Sequence, residues 1–287
     1  MLRTILNHVL LLLCLCIAQS SWATHIMGGE ITWACQGNGT YIFTLKIYRD
    51  CQGNPLQFPI ALRVHNHPSV TSIPLTLVSQ TDISPVCNGS GPTISCNGQL
   101  QDGAVEEFVL RSNAVNLPGT PPAQGWIFTY DDCCRNQAID NVVVNPSETG
   151  ITLRAIMYAY PGNSASPCFD SSPIFAQLPA VIICAGNPFT YNHNAFDPDK
   201  DSLSYDFGFP LDWLNGAAFS GSVPDTLIYT PNSPYSAVNP FGVATSLNRS
   251  TGEIAFTPNM TGNFVTVVKV SAYRCGVLVA EIYRELQ

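Results

Sequence analysis

Five consecutive residues, Asp197-Pro198-Asp199-Lys200-Asp201, hold the densest group of carboxylates in the chain. Aspartates alternating through a turn can aim several hard oxygens at one Ca2+, which takes six to eight at about 2.3–2.6 Å. The stretch is no EF-hand. Ser202 stands where that loop needs glycine, and Gly208 where it needs a bidentate glutamate. The same residues also read as a plain turn, since Asp-Pro starts turns and aspartate side chains bond their own backbone. Calcium at Asp197, Asp199 and Asp201 is thus the one cofactor expectation, with the simple turn as its rival.

His65-Asn66-His67 would put two imidazoles on one face if the strand from Ile60 continued through it, as half of a zinc site. No Asp, Glu or Cys nearby completes the set, so an exposed strand end before Pro68 is expected. His25 and His193 read as surface or capping groups. A nucleophile elbow, paired acids on apolar strands and HExxH are all missing. Glu106 and Glu107 are neighbours on a strand and so face opposite ways, a poor acid/base pair. The expectation is a protein without a catalytic residue.

Cysteine supplies the other chemistry. Of the eleven, Cys14 and Cys16 fall in a leader and nine remain. Cys133 and Cys134 follow the apolar run Trp126–Thr129, and on a strand they would point to opposite faces and reach two different elements. One of them as a buried thiol, or the two as a redox or metal pair, are the alternatives. The scheme pairs Cys87 with Cys96 and Cys168 with Cys184. It gives Cys133 and Cys134 to Cys35 and Cys51 in open order, and leaves Cys275 free or pairing between molecules.

The elements that must position these groups are strands. Tyr41, Phe43, Leu45 and Ile47 alternate with Ile42, Thr44, Lys46 and Tyr48. Similar runs are Ile60–His65, Val105–Leu110, Gly125–Tyr130, Ile151–Tyr158, Thr226–Tyr229, Glu253–Thr257, Phe264–Tyr273 and Val277–Tyr283. With 22 prolines and 21 glycines between short apolar runs and no helical stripe, the class is all-β, as sandwiches. A boundary is legible near Cys168–Pro173, dividing 24–170, rich in long loops, from 171–287.

Residues 1–23 read as a secretory signal. Arg3 and His8 precede the apolar run Val9–Ala18, and Ser21-Trp22-Ala23 offers a cleavage site. That run is too short to span a bilayer and no second one follows, so no transmembrane segment is expected. Charged residues are 11% of the chain, against about 25% in an average soluble protein. The net charge of −8 argues against nucleic acid, whose phosphates need a basic stripe. The expected location is extracellular, where disulfides persist.

Eight segments in order carry a family resemblance. They are His25–Thr32, Tyr48–Cys51, Cys133–Asn136, Ser172–Phe175, Ile183–Phe189, Asp197–Leu203, Thr251–Ile254 and Tyr273-Arg274. The series resembles the N-terminal region of Bacteroidetes surface proteins of the type IX, gliding-motility-associated secretion system, the SprB-like adhesins. The resemblance implies tandem Ig-like or cadherin-like β-sandwiches at the cell surface, non-enzymatic and dependent on type IX secretion machinery. It implies a partner that is a surface polysaccharide or protein. An adhesin or structural module is the leading expectation, and a calcium- or glycan-binding module, with Trp213, Tyr229 and Tyr235 as stacking candidates, is the alternative. Lys200 stands where the family pattern has glycine, and Cys275 where it has a polar turn residue. The family's C-terminal sorting domain does not occur by Gln287, so the sequence reads as a fragment or as a short relative.

Overall fold

A computed structural model describes residues 26–85, 94–97, 103–145, 148–162, 168–179, 182–221 and 225–287. The leader, His25 and Cys87 lie outside the described residues. Every regular element among them is a strand. The first half holds β1 (Ile26–Cys35), β2 (Thr40–Asp50), β3 (Ile60–His65), β4 (Ser72–Asp82), β5 (Val105–Ser112), β6 (Val115–Asn116), β7 (Trp126–Cys133) and β8 (Gly150–Met157). The second half holds β9 (Ile174–Phe175), β10 (Phe189–Asn192), β11 (Ala195–Phe196), β12 (Ser202–Phe207), β13 (Ser246–Leu247), β14 (Glu253–Phe256), β15 (Thr266–Arg274) and β16 (Val277–Leu286).

Alternation produces the core as expected. Tyr41, Phe43, Leu45 and Ile47 are fully buried on one face of β2, while Ile42, Thr44 and Lys46 are half-buried on the other. The main sheet runs β1-β2-β5-β4-β3-β7-β8-β16-β15-β12, with β6 beside β2. It then closes on itself. Along one edge of β16, Ala280, Glu281 and Ile282 pair with β8, and Arg284, Glu285 and Leu286 pair with β1. The opposite edge of β16 carries β15. Eight strands, β1-β2-β5-β4-β3-β7-β8-β16, therefore form a circuit. Closure brings rings of non-adjacent strands together: Phe128 on β7 lies 4.5 Å from Phe43 on β2 and 5.9 Å from Trp33 on β1.

Two glycines make the closure possible. A Cβ at Gly28 would strike the Glu285 carbonyl of β16, and one at Gly29 the Lys46 carbonyl of β2. Gly28 also has φ +146°, which other residues rarely adopt.

The division expected at residue 170 does not separate two sheets. β12, β15 and β16 come from the second half and complete the sheet begun by the first. The reason is burial on both faces: Val279 and Ala280 are consecutive on β16 and both are fully buried. Such a strand needs layers on either side, and the first half supplies one of them. The smaller sheets, β10-β14-β13 and β9-β11, do lie wholly in the second half. Thr226–Tyr229 forms isolated bridges and no strand.

The disulfides pair otherwise than the sequence suggests. Cys35 bonds Cys168, with Cα atoms 5.9 Å apart, and Cys51 bonds Cys96 at 5.4 Å. Cys133 and Cys134 bond each other across a cis peptide. The opposite-face argument fails because β7 ends at Cys133, so Cys134 is already off the strand. Cys96 is placed by Asp82, whose carboxylate accepts its N–H at 2.8 Å. Cys184 and Cys275 are exposed and unpaired.

Candidate metal centre

The Asp197–Asp201 turn joins β11 to β12 and is organised by its first residue. Asp197 Oδ1 accepts the N–H groups of Asp199 at 2.9 Å and Asp201 at 3.0 Å. Lys200 takes φ +69°, the left-handed conformation for which glycine is suited. The plain turn is therefore present, yet it uses only half of the carboxylate. Asp197 Oδ2 is buried and no donor reaches it.

Against this oxygen sits a residue the sequence reading passed over as a boundary. The Asp170 side chain is wholly buried, and its Oδ2 also has no hydrogen-bond donor. Asp170, Asp197 and Asp201 each bring one carboxylate oxygen within 4.8 Å of the others. Oxygens on a common Ca2+ stand at most about 5 Å apart, twice the metal–oxygen distance. One ion can thus touch all three. Asp199 borders the cluster without being one of the three: its Oδ2 accepts the Ser171 N–H at 2.7 Å and lies 3.5 Å from Arg274 Nη2.

One cation is already at the cluster. Arg274, the last residue of β15, brings Nη2 to 2.6 Å from Asp170 Oδ1 and 2.7 Å from Asp201 Oδ2. It donates through Nε to Asp201 Oδ1 at 3.1 Å and through Nη1 to the Phe169 carbonyl at 2.9 Å. Four carboxylates still outnumber one guanidinium. Burial, followed by the closeness of the Asp199 carboxylate, pushes Asp170 up to about 9, against the pull of Arg274. Burial likewise raises Asp197. Buried carboxylate oxygens without donors are what a hard divalent cation satisfies, and the three carboxylates supply three of the six to eight oxygens that Ca2+ takes. Lys200 is exposed and makes no ion pair with the cluster among the described residues.

The segment carrying Asp170 is tightly held. Its carbonyl accepts Trp33 Nε1–H at 3.0 Å, Ser172 Oγ accepts the Trp33 N–H at 2.9 Å, and Cys168 is bonded to Cys35. The cluster thus ties the chain between the two halves to β1, to the β11–β12 turn and to β15.

The histidines do other work. Asn66, at φ 64°, ends β3, so His65 and His67 do not share a strand face. His65 Nε2 meets Thr129 Oγ1 at 2.9 Å. His67 is buried against Trp126, and its Nδ1 accepts the Ser69 and Val70 N–H groups at 3.2 and 2.9 Å. Trp213, Tyr229 and Tyr235 are half-buried, Trp213 against Gly150 and Tyr235 beside Phe264.

His193, expected at the surface, is 1% exposed. Burial, and secondarily the positive charge of Arg284, lowers it to about 3. Its other ring neighbours, Phe175 and Tyr191, carry no charge at neutral pH. A folded-state pKa below the unfolded value of about 6.5 means that the folded form disfavours the proton. Its contribution is present above about pH 6.5 and lost as pH falls towards about 3. His193→Phe is therefore expected to flatten the acid side of the stability–pH curve over that window, by urea unfolding at stepped pH. An unchanged acid limb would refute this.

No helix among the described residues is long and apolar enough to cross a membrane. Comparison with family models, with curated proteins and with solved structures finds no match to this chain.

Proposed function

We propose that the chain is an extracellular, non-enzymatic module of a bacterial surface adhesin of the SprB-like kind, stiffened by one calcium ion at Asp170, Asp197 and Asp201. The carrying observation is the pair of buried carboxylate oxygens, Asp170 Oδ2 and Asp197 Oδ2, that no donor reaches. Disulfides and an all-strand architecture support the extracellular location. The resemblance in eight ordered segments supports the adhesin, with a surface polysaccharide or protein as partner and type IX machinery as its exporter.

Calorimetric titration of the purified chain tests the calcium. One Ca2+ per chain is expected, with a stability gain of about 2.7 kcal/mol at a hundred times Kd. Asp170→Asn and Asp197→Asn abolish the heat, while Asp199→Asn keeps it. Absence of heat from the unaltered chain would leave Arg274 as the resident countercharge and remove calcium from the proposal. Antibody labelling of intact source cells tests the location, and signal only after permeabilisation would overturn it.

A further inference from the structure

A cavity of about 580 Å3 opens between the β10-β14-β13 sheet and the start of β15, within the 300–1,000 Å3 typical of small-molecule sites. Phe189, Tyr191, Phe241 and Phe264 line it as half-buried rings. Phe189 and Tyr191 lie nearly parallel, with 10° between their planes. No Lys or Arg lines it, and Arg284, behind the Tyr191 hydroxyl, is already paired with Glu30. Its polar lining consists mainly of amides, hydroxyls and one carboxylate. Asn136 spends Oδ1 on the Ala138 N–H, and Asp50 spends Oδ1 on the Gln52 N–H. Asn263 donates Nδ2 to the Ala138 carbonyl. Among the described residues Asn136 Nδ2, Asp50 Oδ2 and Asn263 Oδ1 make no further hydrogen bond, and the buried His193 ring nitrogens, Thr266 Oγ1 and Gln287 Oε1, which also line the cavity, have no hydrogen-bond partner.

We propose that this cavity binds a neutral sugar unit of a glycan. A pyranose has an apolar C–H face, which packs on an aromatic ring, and a rim of hydroxyls. Each hydroxyl donates and accepts at once, which suits an amide donor set beside carbonyl and carboxylate acceptors. A purely apolar ligand would leave the buried Thr266 hydroxyl and Gln287 carbonyl oxygen unpaired, at a cost. A uronic or sialic acid would bring its carboxylate beside Asp50 with no cation to receive it.

The site is separate from the metal centre. Thr266, which lines the cavity, and Arg274, at the aspartates, are the two ends of β15, about 26 Å apart at ~3.3 Å per residue. Sugar binding is therefore expected to be the same in EDTA and in Ca2+, so that the two proposals fail independently.

The experiment is saturation-transfer NMR of the full chain with neutral methyl hexosides, maltotriose and cellotriose, and with glucuronic and N-acetylneuraminic acids. Transfer to at least one neutral sugar, strongest at its C–H face and absent for the acids, is the expected result. Asn136→Ala is expected to weaken binding about tenfold, the worth of a hydrogen bond and its stranded partner. Phe189→Ala is expected to abolish transfer, and the unfolding midpoint of each variant shows that it is folded. Silence from every neutral sugar overturns the proposal. So does equal binding of the acids, transfer that survives both substitutions, or a neutral dye, N-phenyl-1-naphthylamine, that fills the cavity and is not displaced by the best sugar.

Discussion

Replacing Arg284 with methionine is expected to destabilise the protein by about 3–5 kcal/mol, the range for breaking a buried ion pair from one side. Arg284 is 1% exposed and lies opposite Glu30 in the β1–β16 pairing that closes the sheet. Its Nε donates to Glu30 Oε2, and Nη1 donates to the Gln177 carbonyl at 2.8 Å and the Tyr191 hydroxyl at 3.3 Å. The guanidinium lies 4.0 Å from the centre of the Phe175 ring. Burial alone would lower its pKa, but Glu30, Tyr48 and Tyr191 outweigh that effect and hold it above the ordinary arginine value. Methionine keeps the packing and removes the charge. Glu30 is then left buried with the Tyr48 hydroxyl at 3.1 Å and Lys46 Nζ at 3.9 Å. The double variant Glu30→Leu/Arg284→Met is expected to recover most of the loss, because no charge remains buried. Urea unfolding measures both. A single-variant loss under about 1 kcal/mol, the range of an exposed pair, would mean that Glu30 reaches water.

Opening the Cys35–Cys168 disulfide is the second large effect. The bond spans 133 residues, for which chain entropy gives about 5 kcal/mol, and removal in secreted domains costs about 2–5 kcal/mol. Cys35→Ala/Cys168→Ala is expected to fall in that range by urea unfolding. It should also weaken calcium, since Asp170 sits two residues from Cys168 and loses its covalent tether. Retained stability together with unchanged calcium heat would show that the Trp33 contacts hold the segment alone.

What could be read beforehand followed from period and local chemistry. β2 and β3 were legible because apolar and polar residues alternate along them, and Ile60–His65 matches the strand at both ends. The aspartate turn was legible because Asp-Pro and spaced carboxylates are local signals. Asp170 was not, because its neighbours Phe169 and Ser171 look like a linker and its partners lie 27 to 104 residues away. His193 misled for a similar reason: Asn192 and Asn194 flank it like a surface turn, yet Arg284 and Tyr191 fold over it. The cysteine partners could not be deduced from spacing, which constrains neither where β1 ends nor where Asp82 holds Cys96. The single sheet escaped notice because a strand buried on both faces carries no mark of which half supplies its cover.

The ring closed by β16 also sets an order of events. Glu30 and Arg284 lie 254 residues apart, so β1 meets β16 only after that much further chain has been synthesised. A nascent segment through β8 has its aromatic core residues but two unclosed seams, on β1 and on β8. Unpaired seams recruit other chains, so early compaction of that segment is a hazard. Strand pairings this far apart in sequence make folding slow by topology. A chain kept extended until β16 has been made would avoid that hazard without a chaperone for the half-made ring.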